Sequence, residues 1–150
     1  MAFWINTISW KKVAQTALIY TIVAFIIHQL EALFTVGYYT NPQYLGVWSK
    51  LMMPSNGAPP ASFMIYSVVF AFITGISLAL IYYYLRDHLP QNKTKRILYF
   101  ADLMIATSFI FFTLPTYLLL NVPVVLLVTW FITGFVVLVI ESFVLVKIIN

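Results

Sequence analysis

Four apolar stretches, each long enough to cross a bilayer, leave this chain few folds to choose from. They run over about 13–34, 61–85, 97–120 and 122–146. Each meets the ~20 residues a helix needs to cross ~30 Å of hydrocarbon. Within lipid every backbone N–H and C=O must pair inside its own element, so a continuous apolar run is helical. A transmembrane β-barrel needs alternating apolar and polar positions, which these runs lack. The sequence therefore predicts an all-α, polytopic membrane protein, a four-transmembrane-helix bundle.

Composition agrees. Of 150 residues 63% are hydrophobic and 8% charged, against roughly 25% charged in soluble domains. No stretch is left over for a second, soluble core, so residues 1–150 are expected to form a single integral membrane domain. The absence of cysteine excludes disulfides, thiolate metal sites and a cysteine nucleophile. Lys11 and Lys12 before the first run resemble the start of a signal peptide. The polar His28-Gln29-Leu30-Glu31 that follows has no small-x-small cleavage pattern, and the run reads as a retained helix.

The basic residues set an orientation. Lys11, Lys12, Arg86, Lys93, Lys95, Arg96 and Lys147 all fall on one side of the four spans, and Lys50 on the other. Positive charge accumulates in cytoplasmic loops, so both termini are expected to face the cytoplasm and the 35–60 segment to face outward. The net charge of +4 is accounted for by this asymmetry and does not call for nucleic acid. The Asn92-Lys93-Thr94 glycosylation sequon would then be silent. Phe3, Trp4, Ile5, Ile8 and Trp10 read as an interfacial anchor. Tyr38, Tyr39, Tyr44 and Trp48 on one side, and Trp4, Trp10, Tyr82, Tyr83 and Tyr84 on the other, read as aromatic belts.

Between the first two spans, Asn41-Pro42 is a helix start, an N-cap followed by proline at the first helical position. Tyr44, Val47, Trp48, Leu51 and Met52 recur at helical spacing, which predicts a short outer interfacial helix ended by Pro54. A turn at Ser55-Asn56-Gly57 and a launch of the second span at Pro59-Pro60 follow. Pro115 is expected to kink the third span by removing a backbone donor. Asn121-Val122-Pro123 forms the turn of a tight hairpin. Phe72-Ile73-Thr74-Gly75 recurs as Phe131-Ile132-Thr133-Gly134, a hint of internal duplication.

A step of 100° per residue gives each span one small or polar face. On the first it holds Ala17, Ala24, His28, Glu31 and Thr35. On the second, Ser67, Ala71, Gly75 and Ala79 form a stripe of small residues. On the third the face holds Asp102, Ala106, Thr113, Thr116 and Tyr117, and on the fourth Trp130, Gly134 and Glu141. Such faces let helices approach closely and let hydroxyls bond across them. Ser67, Ala71, Gly75, Ala79 and Gly134 are the packing candidates. His28, Glu31, Asp102 and Glu141 are the intramembrane polar candidates.

An acid inside a membrane costs about 3 kcal/mol or more unless it is paired, protonated or near water. Asp102 and Glu141 sit at the same depth in an antiparallel hairpin, so face to face they would share a proton or bind a cation. The plainer alternative is that each reaches the Arg86, Lys93, Lys95, Arg96 cluster as an anchor. His28 and Glu31 lie one turn apart and supply two metal ligands where three or four are needed. They read as a hydrogen-bonded pair closing the outer mouth, with Thr113, Thr116, Tyr117 or the outer loop as partners. No cofactor and no metal site is expected. No phosphate loop, nucleophile elbow or zinc motif is present.

The outer segment carries one resemblance. Tyr39, Pro42, Gly46, Trp48, Lys50, Leu51 and Met52 are similar to the outer-loop signature of a family of small bacterial and archaeal four-span membrane proteins. Members read Trp-Tyr-Ser-Pro, then Phe-Gly-Lys-x-Trp and a Lys-Leu-Met tail. This chain has one more residue before the proline, no Trp before Tyr39 and an added 55–60 segment. The resemblance implies a four-span protein of a family without assigned function, so no catalytic residue is carried over.

Three functions remain open. One is a non-enzymatic structural, accessory or ligand-binding bundle, with the bilayer and either a second copy or another membrane protein as partners and no nucleic acid. Another is a transporter or channel protomer using Asp102 and Glu141. The third is an intramembrane enzyme acting on a lipophilic substrate near His28 and Glu31. A prokaryotic cell membrane is the expected location.

Overall fold

A computed structural model describes residues 8–54 and 59–149. Every element among them is helical. Four helices are long and apolar enough to span a membrane: α1 (Trp10–Tyr39), Ala61–His88, α3 (Lys93–Leu119) and α4 (Val124–Ile149). The second of these is an α-helix, α2 (Ala61–Leu85), closed by a 3-10 turn over Arg86–His88. The chain thus has the four apolar helices of a multi-pass membrane bundle. The expected turn at Ser55-Asn56-Gly57 and the anchor residues Phe3, Trp4 and Ile5 lie outside the described residues.

Helix ends follow local chemistry. Pro60 is extended before α2, and its carbonyl accepts from Phe63 N–H at 2.9 Å. Asn92, the residue of the sequon, caps α3: its Oδ1 accepts from Lys95 N–H at 3.1 Å. The Arg96 guanidinium folds back onto the preceding turn, donating to Pro90 O at 2.8 Å and to Gln91 Oε1 at 3.4 Å. Lys12 Nζ donates to Ile149 O at 3.2 Å, placing a cation on the unpaired carbonyls at the end of α4.

The segment after α1 departs from the expected outer helix. Asn41 caps it, its Oδ1 accepting from Gln43 N–H, but the helix is a six-residue 3-10 turn, Pro42–Val47. The backbone turns extended at Trp48, whose ring stacks on Tyr39 at 5.0 Å. A 3-10 turn eclipses side chains three apart and rarely runs far. The aromatic contact then takes Trp48 out of the helical path. A separate turn follows, in which the Ser49 carbonyl accepts from Met52 and Met53 N–H.

Just before Pro115 the regular α-helix of α3 is interrupted. The five residues before its turn, Phe109–Thr113, are π-helical, and Leu114 N–H reaches back to Phe109 O. A π turn absorbs one extra residue and relieves the contact between a proline ring and the carbonyl four residues earlier.

In packing, α1 lies against α2 and α4, and α3 against α4. The main core gathers at the end bearing most of the basic residues, from Val13, Leu78, Ala79, Tyr82, Tyr83, Phe100, Leu145, Val146 and Ile149. Tyr82 and Tyr83 belong to this core and not to a belt. Tyr82 is fully buried and meets Phe100 edge-on at 5.2 Å. Tyr83 Oη accepts from Ser9 N–H, and its ring carries the Arg86 guanidinium. The loop-end half of α2 is open by contrast, with Met64, Ile65, Val68, Val69, Phe70 and Ile73 exposed.

The small-residue stripe on α2 is used at Gly75. A Cβ built there would lie 2.7 Å from Ala17 Cα and 3.1 Å from Tyr20 Cβ. Ala79 is buried, while Ser67 and Ala71 are half-buried. Gly134 makes no such close approach among the described residues: a Cβ there meets nothing within 4 Å. The two Phe-Ile-Thr-Gly repeats therefore do different work. The hydroxyls also depart from expectation. Thr16, Thr21, Ser67, Thr74, Ser77, Thr107, Thr129 and Ser142 each donate to a carbonyl three or four residues back in their own helix, not across helices. Back-bonding of this kind lets a hydroxyl sit in an apolar setting without a neighbour.

Candidate functional site: dispersed acids and a groove between two helices

The structure does not bring the four polar candidates together. Asp102 is exposed on α3, whereas Glu141 on α4 is 2% exposed. The face-to-face arrangement that would let them share a proton is not formed. The reason is the π turn. One inward row of α3 runs Ile97, Ala101, Met104, Ser108, then Thr113 and Thr116, with Phe100 and Ile105 beside it. The step from Ser108 to Thr113 is five residues, one π turn. A uniform 100° step aligned Thr113 with Asp102, but the extra residue aligns it with Ala101. The anchoring alternative is not formed either. Among the described residues the one ion pair is Arg86–Asp87 at 3.7 Å.

Glu141 instead lies inside the packed bundle. Ser142, Val137 and Leu145 beside it on α4 are also buried, and Tyr20 of α1 packs against the core that holds Leu145. Its Oε1 has no hydrogen-bond partner among the described residues. Tyr20 was not singled out from the sequence. It stands on the face of α1 that holds Ala17 and Ala24, and that coincidence was the available signal.

His28 is exposed and makes no hydrogen bond to Glu31 among the described residues. Glu31 is half-buried, and its Oε1 accepts from Thr35 Oγ1 at 2.7 Å. Thr35 lies one turn further along α1 and also donates to Glu31 O. Thr113 and Thr116 are buried and Tyr117 is exposed; none of them bonds to His28 or Glu31.

Above Glu31 stands an aromatic group that the sequence suggested only in part. Trp130 Nε1 of α4 donates to Tyr39 Oη at 2.8 Å. The rings of Tyr39, Trp48 and Trp130 lie 5.0–6.4 Å apart, and Phe112 of α3 adds a fourth ring 6.3 Å from Trp130. Four parts of the chain thus meet at this end: α1, the loop after it, α3 and α4. Trp48 Nε1 is buried without an acceptor among the described residues.

Below these rings a groove of about 280 Å3 runs along the seam of α1 and α4. One wall is Ile27, Leu30, Glu31 and Phe34; the other is Thr129, Ile132, Thr133 and Val136. Both walls follow the spacing i, i+3, i+4, i+7, one helix face over two turns. Leu30, Phe34, Ile132 and Val136 are exposed, and Glu31 supplies the charge. A second groove, between α1 and α2, is lined by Phe25, Met64, Ile65, Val68 and Val69 and is wholly apolar. Among the described residues no three His, Asp or Glu side chains are grouped to hold a metal ion.

No family model, no curated protein and no solved structure matches the chain. The outer-loop resemblance accordingly rests on Tyr39, Pro42, Gly46, Trp48, Lys50, Leu51 and Met52 alone. Two of these, Tyr39 and Trp48, meet in the aromatic group.

Proposed function

We propose that the protein is a non-enzymatic accessory bundle of a prokaryotic cell membrane, with both termini in the cytoplasm, and that the α1–α4 groove is its binding face. One observation carries the reading. The acids do not converge on a common centre, and the one that lines a groove is Glu31. Nucleophilic or acid–base chemistry needs groups within hydrogen-bond reach of one another. A membrane surface otherwise made of Leu, Ile, Phe and Val gains nothing by carrying a carboxylate, whereas a contact face does.

The assembly size in gently solubilised native membranes tests this. Wild type should migrate above the free 17.2 kDa chain. Ile132→Trp, which fills the groove, should shift it toward the free chain, and Val69→Trp on the apolar groove should not. Equal migration of all three would overturn the reading.

Transport is the second reading, favoured by the buried oxygen of Glu141, which has no partner among the described residues. Reconstituted vesicles decide it: a proton or cation flux abolished by Glu141→Gln in a folded protein would establish transport in place of accessory binding.

A further inference from the structure

We infer that the α1–α4 groove receives a transmembrane helix of a different protein, one carrying a single basic side chain near its outer end. The inference rests on the reading of the groove as a binding face, and names what binds.

Three observations carry it. The first is charge. Glu31 is acidic, half-buried in the groove wall, and its sole hydrogen-bond partner among the described residues is the neutral Thr35 hydroxyl. An acid at this depth calls for a cation or a strong donor. His28, one turn back on α1, is exposed and makes no hydrogen bond among the described residues, so the chain leaves Glu31 without a bonded cation there. Its Lys and Arg residues lie at the other end of the bundle, except Lys50 in the loop segment. A second copy brings the same deficit and a second Glu31. The cation therefore belongs to another molecule.

The second is shape. Two helix faces with identical i, i+3, i+4, i+7 spacing form parallel walls about 10 Å long, at 1.5 Å per residue. Such walls accept the ridge of a third helix. Phe34, 85% exposed, and Ile132, 57% exposed, stand as large exposed side chains on either wall. Thr129 and Thr133 keep the α4 wall narrow, as contact faces between membrane helices tend to be.

The third is size. Sites for small molecules are clefts of roughly 300–1,000 Å3 that enclose most of the ligand. A groove of about 280 Å3, flanked by exposed side chains, encloses little. It suits a partner that brings its own length.

The test uses full-length protein in phosphatidylcholine vesicles and a synthetic leucine/alanine transmembrane peptide. The peptide carries one lysine at the depth of Glu31, and a control has leucine in its place. Association is read by energy transfer. The lysine peptide should bind wild type about tenfold more tightly than the control, the factor expected of one polar contact between membrane helices. Glu31→Gln and Ile132→Trp should each abolish the preference, with the folded state confirmed by retained helicity, and Val69→Trp should retain it. Binding of the two peptides within twofold of each other would overturn the inference, as would a preference that survives Glu31→Gln. Blockade of the groove by a second copy, seen as disulfide cross-linking of Ile132→Cys to itself, would also overturn it. If Ile132→Trp still shrinks the native assembly while the lysine preference is absent, the groove stands as a binding face and the basic helix alone is refuted.

Discussion

Gly75 of α2 and Ala17 of α1 approach so closely that a Cβ on Gly75 would sit 2.7 Å from the Ala17 Cα and 3.1 Å from its carbonyl oxygen. The atoms met are backbone and cannot swing aside. Gly75→Ala should therefore push the two helices apart and destabilise the fold by ~1–3 kcal/mol, the usual cost of overpacking. Gly134→Ala, which meets open space, should be neutral or stabilising by up to ~1 kcal/mol through helix propensity. Reversible unfolding in mixed micelles compares the two, and equal effects would contradict the packing described.

Glu141 presents an oxygen to an apolar interior without a partner among the described residues. Leaving such a group unsatisfied costs ~1–3 kcal/mol. Glu141→Leu should accordingly be neutral or stabilising in the same unfolding assay. Asp102→Asn should change stability by less than ~0.5 kcal/mol, and the two substitutions should add within ~0.5 kcal/mol because the residues share no partner. A coupling above ~1 kcal/mol would restore the acid pair.

The Trp130–Tyr39 hydrogen bond ties α4 to the end of α1. In a double-mutant cycle, Tyr39→Phe and Trp130→Phe should couple by ~1 kcal/mol, the net worth of one such bond. Additivity would mean that the rings pack without it.

How far the sequence carries the fold depends on the element. The four spans were legible because length and hydropathy suffice to define them. Pro60, the Asn41 cap and the 121–123 turn were legible because proline and asparagine have local mechanisms, whereas Asn92 was read only as a sequon. The inward face of α3 was not. A π turn inserts one residue, and every position on one side of it is misassigned relative to the other. Asp102 was lost to that shift. Tyr82 and Tyr83 were misassigned because tyrosine suits an interface and a core equally well, and only the neighbours decide. Glu31 was read as hydrogen-bonded to His28, and its hydrogen bond goes to Thr35 instead. One residue of α1 is 100° of rotation, so positions three apart diverge by 60°. That is enough to turn His28 outward while Glu31 faces α4.

The orientation can be read directly because the chain contains no cysteine. Lys93→Cys should react with a membrane-impermeant thiol reagent only after the cells are opened, and Ser49→Cys from outside intact cells. The reverse pattern would invert the topology proposed here.

The central claim is that the α1–α4 groove is a contact face in the membrane. Its most direct measurement is the exposure of single spin or fluorescent labels to a lipid-dissolved quencher, in native membranes and in purified protein returned to lipid. Labels at Leu30 and Ile132 should be quenched at least about twofold less in native membranes than after purification, as expected where a helix partner covers them. Labels at Val69 and Phe111, on exposed faces outside this groove, should be quenched equally in both. Equal quenching of the groove labels in the two preparations would contradict the claim.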